Sequence, residues 1–463
     1  MGTAAEPDAL RKQLDGRPLL VLAAGLIVGL TAPAHPWNLL AILVAIAVLF
    51  RPSMRVLLGF GLLSGLILAP AEPIPVLDRG YGDFVGAVVS LPRPTDFGSV
   101  FNLETGDRTW RVLTSDPTEF SIGDRLQVAG IEEPLREGTD RYLLLHGVSG
   151  RLDALHLRLV SHGPIVWRAA RAWRADFRTF CRRWLATEGA AFIEALCFDL
   201  NAGVDHAVTD RLKDMGALHI VVASGFHVLL IAAALLSVLA RLPLPRVYQI
   251  AIVAFVLLLY CGATGLTPAV VRSSLMVVTG LSAYLFRREP DALSALGLSA
   301  VMYLCWHPRE VYDPGFQLSF LTVGVIALFY HPLRRERNRF IRVSYDLAVL
   351  SWIAFLGSAP LMAYYFGALS VVSLPASLLV SAAAGAAIVG AFAAYVVSFM
   401  IPSLGVGLLN VIAAPMAGWV LWVSDHLGGH SWSSVAVPAF SAYWLVLIYG
   451  LMLLTWRVRI VQP

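Results

Sequence analysis

Apolar residues gather in long blocks at both ends of the chain and thin out between residues 76 and 215. A membrane-spanning helix needs about 20 apolar residues, and about 17 suffice at the short end. Runs of that kind fall at 18–33, 36–50 and 54–70, the first two short enough to form a hairpin around Pro33, His35 and Pro36. They return at 216–240, 247–264, 268–286, 291–306, 314–332, 345–366, 371–400, 404–424 and 438–456. The run 371–400 is too long for one straight span. Pro375, Gly385 and Gly390 offer break points that would divide it into a re-entrant piece plus a span. The pattern predicts a polytopic α-helical membrane protein of about 12 spans.

The polar interval has a different period. Between residues 78 and 153, β-rich runs at Phe84–Ser90, Ser99–Leu103, Thr109–Leu113, Arg125–Ala129 and Tyr142–Val148 are separated by Pro-, Gly- and Asp-containing turns. Five short strands in so short a segment suit a small OB-like β-barrel. From 165 to 185 the period becomes helical. Trp173, Phe177, Phe180 and Trp184 share one side, and Arg171, Arg174, Arg178 and Arg182 another. Four units follow: N-terminal membrane helices at 1–75, the OB-like domain at 76–160, a basic amphipathic interfacial helix at 161–190, and a second membrane domain at 191–463.

Composition strengthens the membrane reading. Hydrophobic residues make up 57% of the chain and charged residues 14%, against about 25% charged in an ordinary soluble domain. Mean hydropathy is +0.70. The apolar N-terminal run lacks a small-residue cleavage site, so a spanning helix is expected there, not a cleaved signal. Charge then orients the spans. With the N-terminus inside, the inner loops collect sixteen Lys and Arg residues while the short outer loops hold little beyond Arg309. By the positive-inside rule both termini are cytoplasmic and the β-rich domain lies outside. That domain holds eight Arg and thirteen carboxylates over 78–153, a net −5. A groove tracking phosphates should be basic, so aromatics such as Phe97 and Trp110 are assigned to its core before base stacking. Residues 154–188 reverse the sign, with seven Arg against Asp176 and Glu188. Two compatible readings stand for this helix. It lies flat at the outer membrane surface, or its arginine row faces an incoming polyanion.

Candidate chemistry concentrates where the second apolar block begins. Asp199, Asp205, His206, Asp210, Arg211, Lys213 and Asp214 precede His219, Ser224 and His227. In a continuous helix, positions 219, 223 and 227 share a face, with the histidines about 12 Å apart. That is too far for one metal ion, so no metal is assigned, and histidines lining a wet cavity are expected instead. Ionisable groups inside membrane segments are functional candidates by default. Arg272 and Asp313 are two such groups; they are expected to pair, either packing helices together or setting Arg272 against a phosphate in a pore. Gln317 lies one helical turn beyond Asp313. Ser224 and His227 also suit an intramembrane hydrolase, although no G-x-S-x-G elbow or third member is visible. No Walker A sequence is present, and no cofactor is assigned. No C-x-x-C pair occurs. Cys261 and Cys305 read as buried thiols, and Cys181 with Cys197 as a weak disulfide candidate.

The stretch Gly216-Ala-Leu-His-Ile-Val-Val-Ala-Ser-Gly-Phe-His227 resembles the H-L-L-A-I-S-G-L-H signature of the ComEC competence family. Gly265, Pro268 and Arg272 resemble its G-x-x-P-x-x-x-R segment, Asp313-Pro-Gly-Phe-Gln-Leu-Ser-Phe320 its D-x-G-F-Q-L-S-F segment, and Tyr364-Tyr-Phe-Gly367 a later one. The likeness covers about 185–455. It implies an inner-membrane channel that carries single-stranded DNA into the cytoplasm during natural transformation. His219, Ser224, His227, Arg272, Asp313 and Gln317 would line the path, and Arg171, Arg174, Arg178 and Arg182 would meet DNA outside. Membrane lipid, a cytoplasmic ATP-driven translocase, a separate nuclease and an extracytoplasmic DNA receptor are the implied partners. Two departures stand out. The H-x-H-x-D-H motif of the family's metallo-β-lactamase-type domain is absent, so no nuclease activity is expected here, and Ser377 replaces a family Asn. A transporter of a small solute or lipid precursor on the same fold is the other alternative to the hydrolase.

Overall fold

The structure, a computed structural model, describes residues 17–31, 61–69 and 76–461, the last with short gaps of which 331–338 is the longest. The expected span 36–50 lies outside the described residues, as does Phe97. Within them the chain is mostly helical with one β-sheet domain. Helix α1 (Pro18–Thr31) and a helical stretch at 61–68 precede the sheet.

Six strands follow: β1 (Gly80–Val88), β2 (Arg93–Thr95), β3 (Gly98–Thr105), β4 (Arg108–Thr114), β5 (Arg125–Glu133) and β6 (Val148–Ser161). Their order is β1-β5-β6-β4-β3-β2, and β1 also pairs with β3 through Ala87–Glu104 and Val88–Leu103. The ladder therefore returns to its first strand. All pairs are antiparallel except β4 with β6. The strand expected at 142–148 is misplaced. Residues 143–144 are helical, and the last strand begins where that run ends. Charged strand residues such as Arg151 and Asp153 hide the alternation of β6, while the apolar Leu143-Leu144-Leu145 run imitates a strand. Val88, Phe101, Leu103, Trp110, Val112, Leu126, Val128 and Leu152 fill the interior. Trp110 is fully buried, tilts over Phe84 at 4.7 Å, and donates its indole N–H to Thr105 Oγ1 at 3.0 Å.

The helical part runs α2 (Ile165–Trp184), α3 (Thr187–Phe198), α4 (His206–Asp214), α5 (Leu218–Val221), α6 (Gly225–Leu239), α7 (Arg246–Ala263), α8 (Pro268–Leu285), α9 (Ala292–Trp306), a 3-10 turn (Pro308–Tyr312) and α10 (Pro314–Phe329). Then come α11 (Arg339–Phe366), β7 (Ala368–Ser370), α12 (Ser373–Ser398), α13 (Pro402–Leu408), a π-turn (Leu409–Ala413), α14 (Ala414–Leu427), β8 (Ser434–Ala436) and α15 (Ala442–Val461). Among the described residues six segments are long and apolar enough to cross a membrane, and four shorter apolar helices accompany them. Bulky side chains such as Phe255, Val396 and Val411 face outward, as a lipid-covered surface requires.

α12 is the hub. It is one unbroken helix of 26 residues, about 39 Å long, so no re-entrant break occurs there. Pro375 sits in the first turn, where a missing N–H is harmless. Ala376, Ala383, Ala384, Ala387, Ala391 and Ala394 are buried; small side chains let neighbouring helices approach closely without a hydrophobic driving force. A second close approach joins α1 to α9. Gly297 lies where a Cβ would stand 2.7 Å from the Leu20 backbone. Arg17 fixes the same contact with bonds of 2.8 and 2.9 Å to Asp291, the N-cap of α9.

Trp110→Ala is expected to destabilise the sheet domain by about 3–5 kcal/mol. Hydrogen exchange on the purified chain should show protection lost across 80–161 while α12 keeps its own. Undiminished protection at β3 and β4 would contradict this core assignment.

Candidate functional site

The segment predicted to be one helix through His219 and His227 is broken. α5 ends at Val221, and Val222 and Ser224 are extended before α6 starts at Gly225. The shared face of 219, 223 and 227 therefore does not form. His219 is exposed and donates its Nδ1–H to the Gly216 carbonyl at 2.9 Å. His227 is fully buried and occupies the third position of α6. Its Nδ1 accepts from the Ser224 backbone N–H at 3.2 Å and lies 3.1 Å from Ser224 Oγ. Its Nε2–H donates to the Leu196 carbonyl at 2.8 Å. This imidazole caps the helix that it starts.

The break matters because a helix N-terminus presents unpaired N–H groups and a partial positive charge. Arg272, on α8, reaches that point. One of its Nη atoms lies 3.3 Å from where a Cβ on Gly225 would stand. Arg272 is 4% exposed. Its Nε donates to Ser319 Oγ at 2.9 Å, Nη1 contacts Met276 Sδ at 3.3 Å, and the guanidinium lies over Phe320 at 5.4 Å. The expected Arg272–Asp313 pair is not formed. Among the described residues no carboxylate is within ion-pair distance of Arg272, and Nη2 donates no hydrogen bond. Buried Asp124, Asp140, Glu194 and Asp313 each have an opposite charge or a histidine within 4 Å. Arg272 stands apart from all four.

Asp313 is the N-cap of α10, its Oδ1 accepting from Phe316 N–H at 2.8 Å. Its Oδ2 meets His146 Nε2 at 3.1 Å. Gln317 is a bridge, donating to the Val311 carbonyl at 2.9 Å and accepting from Tyr365 OH at 2.7 Å. Of the six expected path residues, then, the fold joins Ser224 with His227 and brings Arg272 to Gly225. Asp313 and Gln317 hold the turn before α10. Of the acidic and basic residues ahead of Gly216, two take structural roles, and Asp199 lies outside the described residues. Asp205 caps α4, accepting from Ala207 N–H at 3.0 Å, and Arg211 pairs with Asp425 at 3.1 Å.

Helix α2 packs its aromatic side against protein. Phe177 and Trp173 contact Phe198 and Phe392, and Phe177 and Phe180 contact Tyr395, all at 5.3–5.9 Å. Arg178 bonds to Glu194 at 2.8 Å, and Arg174 lies 3.6 Å from the same carboxylate and donates to the Ala263 carbonyl. Arg171 is half-buried and Arg182 exposed. Two of the four expected DNA contacts are thus committed to a carboxylate of 1% exposure. Sequence reasoning missed Glu194, whose signal was its isolation in the apolar run Ala190–Phe198. Cys181 and Cys197 are free and buried, and burial first, then Glu194, pushes the Cys181 thiol up to about 12. Cys305 is exposed, not buried as expected.

The Competence protein family model matches residues 196–461, which include the broken helix, Arg272 and the α10 cap. The chain belongs to the Competence protein family. Within it the chain is 23% identical over 318 residues to ComE operon protein 3 of Bacillus subtilis (strain 168), covering 67% of this chain and 39% of that protein. It is 26% identical over 389 residues to Competence protein ComA of Neisseria gonorrhoeae, covering 74% and 55%. The matched region thus spans about two-fifths to a little over half of these relatives. No solved structure matches the chain.

Glu194→Gln is expected to cost about 1.5–3 kcal/mol, the worth of hydrogen bonds to a charged group. A melting curve of the purified chain should drop, and Arg178→Lys should drop less. An unchanged melt for Glu194→Gln would show that this pair does not hold α2 to the bundle.

Proposed function

We propose that this chain forms the route by which single-stranded DNA crosses the bacterial inner membrane during transformation. The carrying observation is Arg272: a buried guanidinium with no carboxylate partner among the described residues, beside the N-terminus of α6 inside a broken membrane helix. Broken helices at membrane depth are tolerated where they line a cavity, and their N-termini suit anionic groups. A phosphodiester passing Gly225 would supply the missing charge. Arginine suits this role because it stays protonated and recognises phosphate through a planar fork.

The finer architecture follows the same reading. About 12 spans, both termini cytoplasmic and the sheet domain outside remain the arrangement favoured by hydropathy and by the distribution of Lys and Arg. The closed strand circuit with one parallel pair supports an OB-like barrel. Its acidic balance argues for a positioning role there over phosphate tracking. DNA would gather at Arg182 and Arg171. The drive would come from a cytoplasmic ATP-powered translocase, with a separate nuclease and an outer DNA receptor as further partners.

An unpaired buried cation costs folding energy, so neutralising it should not harm the fold. Arg272→Met is therefore expected to keep or raise the melting temperature while lowering transformation of a complemented deletion strain about 10-fold or more. Normal transformation by this variant would remove Arg272 from the DNA path.

The Ser224–His227 contact of 3.1 Å favours one second reading, an intramembrane hydrolase. It predicts labelling of Ser224 by a fluorophosphonate and loss of labelling in Ser224→Ala. The channel reading predicts no label and leaves Ser224→Ala with only the loss of a cap, about 0.5–2 kcal/mol.

A further inference from the structure

Away from Arg272, three metal-ligating side chains meet between the sheet domain and the helices. His146 lies in the segment joining β5 to β6. Glu310 lies in the 3-10 turn after α9, and Asp313 caps α10. One ligand atom from each falls within 4.8 Å of the other two. We propose that His146, Glu310 and Asp313 bind a divalent transition-metal ion, zinc by its donor set, and that the ion clamps the sheet domain to the membrane domain.

Each ligand is presented by its own local structure. Asp313 Oδ1 is occupied by Phe316 N–H as a helix cap, which leaves Oδ2 directed at His146. The Glu310 side chain makes no hydrogen bond or ion pair among the described residues, although it lies beside a second carboxylate. Two carboxylate oxygens and one imidazole nitrogen at this spacing form a donor set that one divalent cation could bridge. The loop is also seated independently of these groups. Gly147, at φ +82°, lies where a Cβ would stand 2.8 Å from the Arg309 guanidinium. A side chain there would lift His146 away from the turn.

One imidazole nitrogen with two carboxylate oxygens is a set that zinc accepts, and manganese less tightly. Three protein ligands leave a fourth position for water. The two halves of the site come from residues 167 positions apart, so occupancy would add a cross-link between the sheet domain and the helices.

The test uses the full chain in detergent, stripped with chelator and titrated with zinc chloride. Wild type is expected to retain one zinc ion per chain more than Glu310→Gln or His146→Gln after desalting. The affinity of each variant for that ion should be weaker about 10-fold or more. Zinc should raise the melting temperature of wild type and not of the variants. Glu310→Gln breaks no hydrogen bond, so it tests the site without disturbing the fold. Equal zinc content in wild type and both variants, or zinc absent from wild type, would overturn the proposal. DNA uptake is not part of the readout, so failure here leaves the Arg272 account untouched.

Discussion

A charge surrounded by hydrocarbon must find its opposite or be dismissed by selection for stability, and this constraint organises the molecule. Glu194 is held by Arg178 and Arg174, and that contact fixes the basic helix α2 against α3 and the aromatic cluster around Phe198 and Phe392. Arg17 and Asp291 perform the same service where α1 meets α9. Asp140 is met by Arg151 in the sheet domain. Against this consistency Arg272 is the exception, since its neighbours are a serine, a thioether and a phenyl ring. Among the described residues Asp124, Asp140, Glu194 and Asp313 each have a basic group close by, while the Arg272 guanidinium has no carboxylate, and this contrast is what the proposed role rests on.

The backbone makes the same provision. A continuous helix through 218–239 would pair the N–H groups of 225–228 within itself and offer none of them to a ligand. Breaking it at Val222–Ser224 exposes a helix start, and His227 and Ser224 stabilise that start by bonding back across it. Gly225 keeps the approach to Arg272 clear. The long small-residue helix α12 stands behind this break, with Phe226 resting on Gly385. Rigidity is placed beside the gap, and the gap is where two sources of positive charge converge.

Much of this was legible in the chain. The apolar runs located most helices to within a few residues, because lipid demands long uninterrupted segments. Ile165–Trp184 was read by its 3.6-residue period. Four of the five expected strands lie where alternation placed them. The failures share a cause, which is that pairing across the fold cannot be seen along it. Nothing local says that Arg272 turns to Ser319, 47 positions away, and not to Asp313. Nothing local joins His146 to Asp313. The partner of Arg174 and Arg178 was missed because Glu194 stands alone among apolar residues, and nothing along the chain ties it to α2. The break before α6 was signalled only weakly, by Ser224-Gly225 at a helix-start position. In α12 the glycines suggested a kink, yet they serve close packing.

The central claim is that a DNA strand passes the start of α6. The direct measurement places a photoreactive amino acid at Phe226, half-exposed at that start, in cells taking up labelled DNA. A second variant carries it at Val411, which faces outward from the π-turn. The account predicts a single-stranded DNA adduct at 226 and none at 411. Efficient uptake with no adduct at 226, or equal adducts at both positions, would contradict it.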